Sequence, residues 1–378
     1  MDLETEQINI DAFLALVRAG LWTDAESTDL SFQGFTESVD WEKVYQLAEE
    51  QSVIGLVLAG IEHADVKPPQ ELLLQWIGEV QILEQQNKEM NQFIVVLIEK
   101  MRNADIYTLL VKGQGIARCY ESPLWRSCGD VDLFLSDSNY EKAKAFLTPL
   151  ANSVEEEYDY KKHLGMTIDQ WVVELHGSLR CGLSVRMDKA IDRIQYDVFC
   201  GGNVRSWSNG KTQVFLPGAD CDVMFVFTHY IKHFYTGGLG LRQICDWCRL
   251  LWNYKDSLNQ ELLKSRLRDL GLTTEWKAFG AFAVDYLGMP KEAMPLYSSE
   301  RKWSWKADKI CAFIMEVGNF GHNRDNSYDK YPYFVRKAFS MGRRCGDLIR
   351  HARIFPLDSL RFFPKIMYDG LRSAARGE

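Results

Sequence analysis

Two aspartates, Asp130 and Asp132, stand two residues apart in an otherwise largely apolar segment, Gly129-Asp130-Val131-Asp132-Leu133-Phe134-Leu135. In a strand, residues i and i+2 project from the same face, so both carboxylates would point together while Val131, Leu133 and Leu135 face a core. Like charges held side by side repel each other unless a cation lies between them, and carboxylate pairs hold hard ions such as Mg²⁺ in this way. The alternative is an edge strand with two solvated aspartates.

A third acid, Glu174, lies in the segment Trp171-Val172-Val173-Glu174-Leu175-His176. Alternation places Val173 and Leu175 on one face of a strand and Glu174 and His176 on the other. A carboxylate within an apolar strand is costly unless it is paired or binds a metal. If this strand lies beside the aspartates, the three acids can hold two Mg²⁺ ions, with Mn²⁺ as an alternative. A salt-bridged strand glutamate is the competing interpretation.

Lys112-Gly113 directly follows the β-rich segment Ile106–Val111. A glycine there lets backbone N–H groups approach a phosphate, Lys112 can neutralise a triphosphate, and Arg126 can bind it bidentately. The spacing is not that of a Walker A loop, and an ordinary strand-to-helix turn is the alternative.

Three further motifs are weaker indications of a functional site. His229 and His233 have zinc-ligand spacing on a predicted helix, but no third ligand is evident, so the alternatives are a place in the nucleotide cleft with Arg242 or a structural role. Cys245-Asp246-Trp247-Cys248 falls within a predicted helix and indicates packed thiols. Gly237–Gly240 has no preceding strand and predicts a turn between helices.

The elements that position these residues fall into three predicted parts. Residues 1–104 have helical periodicity, and Pro68-Pro69 precedes a long helix with an apolar stripe. Residues 105–217 alternate strands and helices, with a helix predicted at Ile116–Tyr120, which indicates a compact mixed domain. Residues 218–378 are helical again.

Composition narrows the class of protein. The chain has 378 residues, 46% of them hydrophobic, and a net charge of −8, which argues against a surface that binds nucleic acid throughout. No secretory leader or membrane span is predicted, and nine scattered cysteines indicate reduced thiols in the cytoplasm. From Lys330 onward, 11 Lys and Arg stand against 4 Asp and Glu, so this basic tail is a candidate for contact with an anionic partner or simply a solvated helical region.

The order of these elements resembles the nucleotidyltransferase superfamily with a DNA polymerase β-like fold, and most closely a poorly characterised bacterial family, nucleotidyltransferase family 5. The resemblance spans about residues 40–255. The matching segments are Leu110–Gly113, Tyr120 with Pro123 and Arg126, Gly129–Leu133, Lys162-His163, Val173–His176, His229 with His233, and Gly240-Leu241-Arg242 with Asp246.

The resemblance implies an α+β fold with a central mixed sheet between helical regions. It also implies that Asp130, Asp132 and Glu174 bind metal and that the Lys112-Gly113 turn contacts the phosphates of an NTP. Members of the superfamily usually carry Gly-Ser or Gly-Gly closer to the first aspartate, whereas Gly113-Gln114 lies farther upstream and lacks the serine hydroxyl.

The resulting hypothesis is a metal-dependent transfer of NMP from an NTP to a hydroxyl, with release of pyrophosphate. The acceptor is expected to be a small molecule, with RNA or protein as alternatives. The catalytic and metal-binding candidates are Asp130, Asp132 and Glu174. The nucleotide-binding candidates are Lys112, Gly113, Arg126 and Gly129, and the cleft candidates are His176, His229, His233 and Arg242. Competing hypotheses are a degenerate nucleotide-binding scaffold, a toxin-like enzyme that modifies tRNA or protein, and a helical interaction protein.

Overall fold

The computed structural model describes residues 3–22, 39–157, 162–319 and 330–376. The N-terminal region consists of helices α1 (Leu3–Leu21), α2 (Trp41–Glu50), α3 (Ile54–His63) and α4 (Gln70–Asn103). As the sequence predicts, α4 follows Pro68-Pro69 and buries its stripe, including Trp76, Val80 and Ile94.

The central region alternates strands and helices. Its elements are β1 (Leu109–Val111), α5 (Gly113–Ala117), β2 (Asp130–Phe134), α6 (Asp137–Leu147), β3 (Ser153–Val154), β4 (His163–Ile168), β5 (Trp171–His176), α7 (Val185–Phe199), β6 (Val204–Asn209) and β7 (Thr212–Pro217). The helix predicted at Ile116–Tyr120 lies three residues earlier, because the chain turns into α5 directly after Lys112.

One mixed sheet of five strands has the order β1-β2-β5-β4-β3, and β6 and β7 form a separate hairpin. Strands β2 and β5 are parallel neighbours, whereas β1 pairs with β2 and β4 with β5 in antiparallel fashion. The α+β class and the mixed sheet between helical regions are confirmed. Packing of the sheet against α4 and α6 forms a hydrophobic core that includes Val131, Leu133, Val173 and Leu175.

The C-terminal region is helical, as predicted. It comprises α8 (Ala219–Thr236), α9 (Leu241–Asn253), α10 (Gln260–Leu270), α11 (Thr273–Asp285), α12 (Arg301–Val317), α13 (Tyr333–Ile354) and α14 (Pro356–Arg376). Among the described residues, no helix has both the length and the apolar composition that a membrane crossing requires.

The N- and C-terminal helices share one hydrophobic core, which extends from Phe13 on α1 to Phe362 on α14. Backbone carbonyls of the C-terminal region also accept hydrogen bonds from α1 and its following residue: Arg18 Nε donates to Tyr286 (2.8 Å) and Trp22 Nε1 to Leu287 (2.5 Å). The division at residues 104 and 217 stays a prediction, and so does contact of the basic tail with an anionic partner.

Candidate active site

The three predicted acids lie together on adjacent strands. Asp130 and Asp132 project from one face of β2, and Glu174 on β5 is the register partner of Asp132. One carboxylate oxygen of each residue lies within 4.8 Å of the others. Because β2 and β5 are parallel and in direct register, the backbone alone brings the acids into one group. Alternating residues Val131 and Val173 are buried on the opposite face, as predicted.

Lys112, at the end of β1, faces the same group. Its Nζ lies 2.6 Å from Asp132 Oδ1. The Lys112 backbone has φ +55° and ψ −145°, a conformation that is strained for a residue with a Cβ. Burial disfavours the ammonium, but attraction to Asp132, Glu174 and Asp130 outweighs burial and raises the pKa of Lys112. The lysine is therefore held as a cation against the carboxylates.

Two histidines complete the polar face of the sheet. His176 Nε2 lies 2.7 Å from Asp132 Oδ1 and 3.3 Å from Glu174 Oε2, and His163 Nε2 on β4 lies 3.1 Å from the same Glu174 oxygen. Burial opposes protonation of His176, but its hydrogen bonds to Asp132 and Glu174 outweigh burial and raise its pKa. His176 was predicted as a cleft residue, whereas His163 was noted in the sequence without a role.

The electrostatic environment distinguishes Asp130 from Glu174. Burial, followed by repulsion from Asp132, raises the pKa of Asp130. Burial also opposes ionisation of Glu174, but hydrogen bonds from His163 and His176 lower its pKa well below its ordinary value. A raised carboxylate pKa is the expected result of burying like charges side by side.

Gly113 lets β2 pack closely against the start of α5. Its φ is +37°, and a Cβ at this position would lie 3.2 Å from Cys128 Sγ and 3.4 Å from the Asp130 carbonyl oxygen. A Cβ added at Gly129, by contrast, would meet no atom within 4 Å. Gly113 thus permits the close approach of the Lys112 turn to the strand of aspartates.

Gln114, which follows Gly113 and lacks a serine hydroxyl, forms a buried network. Its Nε2 donates to Asn87 Oδ1 on α4 (2.6 Å). Asn87 Nδ2 in turn donates to the backbone carbonyls of Leu124 (2.7 Å) and Arg126 (2.9 Å). This side chain therefore fixes the loop that leads into β2.

The structure does not bring Arg126 into the carboxylate group. Its guanidinium forms a bidentate, buried ion pair with Asp246 on α9, with Nε–Oδ1 at 2.8 Å and Nη2–Oδ2 at 2.6 Å. Tyr120 Oη also donates to Asp246 (2.8 Å). Burial disfavours the charge, but attraction to Asp246 outweighs it and raises the Arg126 pKa further. Asp246 occupies the two guanidinium N–H groups that could otherwise bind a phosphate. In this structure Arg126 therefore links the central region to α9.

Arg242, also on α9, lies near the loop before β2. Its Nη1 donates to the Ser127 carbonyl oxygen (2.6 Å). It lines a second cavity, of 240 Å³, together with Arg126 and residues of α3. Arg242 nevertheless acts on the carboxylate site through its charge, because its attraction opposes the rise in the Asp130 pKa.

His229 and His233, on α8, face the carboxylate group across a cavity. Their Nε2 atoms are 3.1 Å apart. Burial, followed by repulsion from Lys112, lowers the pKa of His229, and burial followed by repulsion from Lys232 lowers that of His233 to about 3. Both rings are therefore neutral at physiological pH.

The cavity between the sheet and α8 has a volume of 510 Å³. Its charged or titratable lining residues are Lys112, Asp130, His163, Glu174, His176, Arg180, Cys181, Asp222, His229, Lys232 and His233. No motif in the sequence indicates a role for Arg180 or Lys232. The sequence could have indicated that Lys232 lies near the cleft, because this lysine is on the same predicted helix as the two histidines.

The donor set fits a hard divalent cation. Asp130, Asp132 and Glu174 offer only oxygen ligands, which Mg²⁺ prefers. Asp132 is 1% exposed and already has two cationic or proton-donating partners, Lys112 and His176, on the same Oδ1 atom. A buried carboxylate that attracts an ammonium and an imidazole in this way is suited to bind a metal ion as well.

The comparisons with known proteins agree with this geometry. No curated protein and no solved structure matches the chain. A family model described as uncharacterised nucleotidyltransferase matches residues 37–288, a span that contains the sheet, the three acids and helices α8 and α9. The chain belongs to this family of uncharacterised nucleotidyltransferases.

Proposed function

We propose that the protein transfers an NMP group from an NTP to a hydroxyl acceptor and releases pyrophosphate. The observation that carries this proposal is the group formed by Asp130, Asp132 and Glu174, whose carboxylate oxygens lie within 4.8 Å of one another. Two of these acids border a cavity that is large enough for a nucleotide. Membership of the nucleotidyltransferase family supports the same class of reaction.

Asp130, Asp132 and Glu174 would hold two Mg²⁺ ions, or Mn²⁺ as an alternative. Such ions, when bound, activate an attacking hydroxyl and offset charge on the leaving pyrophosphate. The protein contributes the positions of the acids, which β2 and β5 fix through their register. We assign to Glu174 the further role of helping to accept the proton of the attacking hydroxyl, because its carboxylate lines the cavity beside the two aspartates.

The triphosphate would lie against the basic side of the cavity. Lys112 borders both the acids and the cavity, and Lys232 lies across it on α8. Their charges would offset those of the phosphates. Gly129 is exposed and leaves the backbone beside the acids open to a phosphate, whereas Gly113 is buried and contributes by allowing the Lys112 turn to lie close to β2. We place the acceptor in the remaining volume toward His229 and His233, where neutral imidazoles can accept or donate hydrogen bonds.

The acceptor that fits this cavity best is a small hydroxylated molecule. The volume of 510 Å³ lies within the range of small-molecule sites. We place the reaction in the cytoplasm, where the free thiols of all nine cysteines would stay reduced.

A labelled-transfer assay tests the proposal. The full-length protein is incubated with Mg²⁺ and each α-labelled NTP in turn, against small hydroxylated molecules, RNA and protein, and label transfer and pyrophosphate are measured. Asp130→Asn should lower the rate by at least about 10²–10³-fold, because charge stabilisation in the transition state is lost. Asp105→Asn is the matched control, because Asp105 is an exposed aspartate that pairs only with exposed Lys142 among the salt bridges of the described residues.

Two outcomes would contradict the proposal. Full activity of Asp130→Asn would show that the acids do not carry the reaction. Mg²⁺-dependent NTP binding without transfer to any acceptor would instead support the degenerate nucleotide-binding scaffold.

A further inference from the structure

Three side chains beside the proposed Mg²⁺ group include two imidazoles. His163 Nε2 and His176 Nε2 lie 3.1 Å and 3.3 Å from Glu174 Oε2, and one ligand atom from each of the three residues lies within 4.8 Å of those of the other two. We infer that His163, His176 and Glu174 form a binding site for a divalent transition-metal ion such as Zn²⁺ or Co²⁺. The site shares Glu174 with the proposed transfer reaction, but the inference rests on the histidines and is tested without nucleotide.

The backbone fixes the two histidines before any ion binds. His163 and His176 are register partners on the antiparallel strands β4 and β5. Beyond this pair, the Gly177 amide donates to the Lys162 carbonyl oxygen (2.7 Å), and the close approach requires glycine, because a Cβ would lie 2.8 Å from Lys162 Cβ. On the other edge, the Leu135 amide donates to the His176 carbonyl oxygen (2.9 Å). Strand pairing therefore fixes the backbone of both histidines, whose ring nitrogens lie against the same oxygen of Glu174.

The distances match the edges of a metal coordination shell. Zn²⁺ binds imidazole nitrogen and carboxylate oxygen at about 2.0–2.2 Å in tetrahedral geometry, so adjacent ligand atoms are separated by roughly 3.3–3.5 Å. The two nitrogen–oxygen separations at Glu174 Oε2, 3.1 Å and 3.3 Å, are close to this value, and the ligand atoms of the two imidazoles lie within 4.8 Å of each other. All three residues line the 510 Å³ cavity, which leaves room for a further ligand.

The ligand types separate this site from the neighbouring oxygen group. Imidazole suits Zn²⁺ and Co²⁺, whereas Mg²⁺ prefers oxygen ligands and keeps its water. His176 Nε2 would exchange its hydrogen bond to Asp132 Oδ1 for the metal. The Asp132 carboxylate would keep an ion-pair partner after this change, because Lys112 Nζ lies 2.6 Å from the same oxygen. The two groups therefore select different ions although they share a carboxylate.

The test is metal binding by the full-length, metal-free protein in excess Mg²⁺ and without nucleotide. Co²⁺ titration should give the intense visible absorption of a tetrahedral ion, and Zn²⁺ should displace it. His163→Gln and His176→Gln should each weaken Co²⁺ binding at least about tenfold. X-ray absorption of the Zn²⁺-loaded wild-type protein should show two imidazole ligands, a result that does not depend on the stability of any variant.

Two matched variants locate the ion. Asp130→Asn, which alters only the oxygen group, should retain Co²⁺ binding, and so should His229→Gln, which removes an imidazole across the cavity. Absence of Co²⁺ binding to the wild-type protein, unchanged affinity in His163→Gln, fewer than two imidazole ligands, or loss of binding in Asp130→Asn would each overturn the inference. Loss of nucleotidyl transfer with Co²⁺ binding intact would affect only the proposed function.

Discussion

Lys112 and Asp132 form an ion pair in which Nζ lies 2.6 Å from Oδ1, although the lysine is held at φ +55°. Strain of this kind at a residue with a Cβ costs about 1–3 kcal/mol and persists where the surroundings determine the conformation. The turn thus holds the lysine against the acids at a cost in backbone energy.

Comparison of Lys112→Ala with Lys112→Gly separates the charge from the strain. Both variants remove the ammonium and should lose NTP affinity. Lys112→Gly should nevertheless be the more stable by about 1 kcal/mol, because relief of strain exceeds the ~0.5–1 kcal/mol that glycine's freedom in the unfolded chain costs. Denaturant unfolding of both variants measures this difference. A Lys112→Gly variant that is less stable than Lys112→Ala by about 0.5–1 kcal/mol would show that the backbone at residue 112 stores no strain.

The buried pair of Arg126 and Asp246 should act on stability and not on nucleotide binding. Asp246→Asn leaves a buried guanidinium with only neutral partners, the new amide and the Ser127 carbonyl oxygen, and should lower the free energy of unfolding by about 3–5 kcal/mol. Replacing both residues, as Arg126→Met with Asp246→Leu, should cost less than the single change, because no charge stays uncompensated. Urea unfolding of the three proteins tests this order.

Nucleotide titration of the double variant provides the control for that experiment. Its NTP affinity should match that of the wild-type protein. A large loss of NTP affinity at full stability would return Arg126 to the phosphate-binding role that the sequence predicts.

How much of the site the sequence predicts depends on how local the relevant rule is. Asp130, Asp132 and Glu174 follow from alternation along single strands, which needs no knowledge of the fold. The sequence predicts a phosphate-binding role for Arg126. It does not reveal the ion pair with Asp246, because that partner lies 120 residues away on α9 and local patterns carry no information about such a contact. The sequence does not place His163 at the site, for two reasons. Gly165 weakens the strand pattern of β4, and the register that sets His163 opposite His176 depends on the pairing of β4 with β5.

Gln114 offers a test of whether the superfamily's serine would improve this site. Gln114→Ser places a hydroxyl after Gly113 but removes the donor to Asn87 Oδ1, which is buried. An unsatisfied buried acceptor costs about 1–3 kcal/mol, so the melting temperature should fall. NTP affinity should not rise, because the side chain at this position faces α4. Tighter NTP binding by Gln114→Ser would show instead that residue 114 can contact the phosphates.

The buried Glu275 should make the stability of the fold depend on pH, independently of the candidate active site. This glutamate on α11 is 0% exposed and accepts a hydrogen bond from Tyr235 Oη (3.0 Å). Burial, followed by repulsion from Asp358, raises its pKa to about 8. Between its ordinary pKa, near 4.5, and about 8, the folded protein holds a proton that the unfolded chain has released. Its stability should therefore decline as the pH rises, by up to about 1.4 kcal/mol per pH unit from this residue.

Glu275→Gln removes the titration but keeps the shape and an amide that can bond to Tyr235. The variant should resemble the wild-type protein in free energy of unfolding near pH 5 and exceed it progressively toward pH 8. Denaturant unfolding at pH 5, 6, 7 and 8 measures the difference, and activity near pH 7 should be unchanged, since Glu275 lies outside the cavity that contains the acids. A constant difference across these pH values would show that Glu275 is ionised in the folded protein throughout.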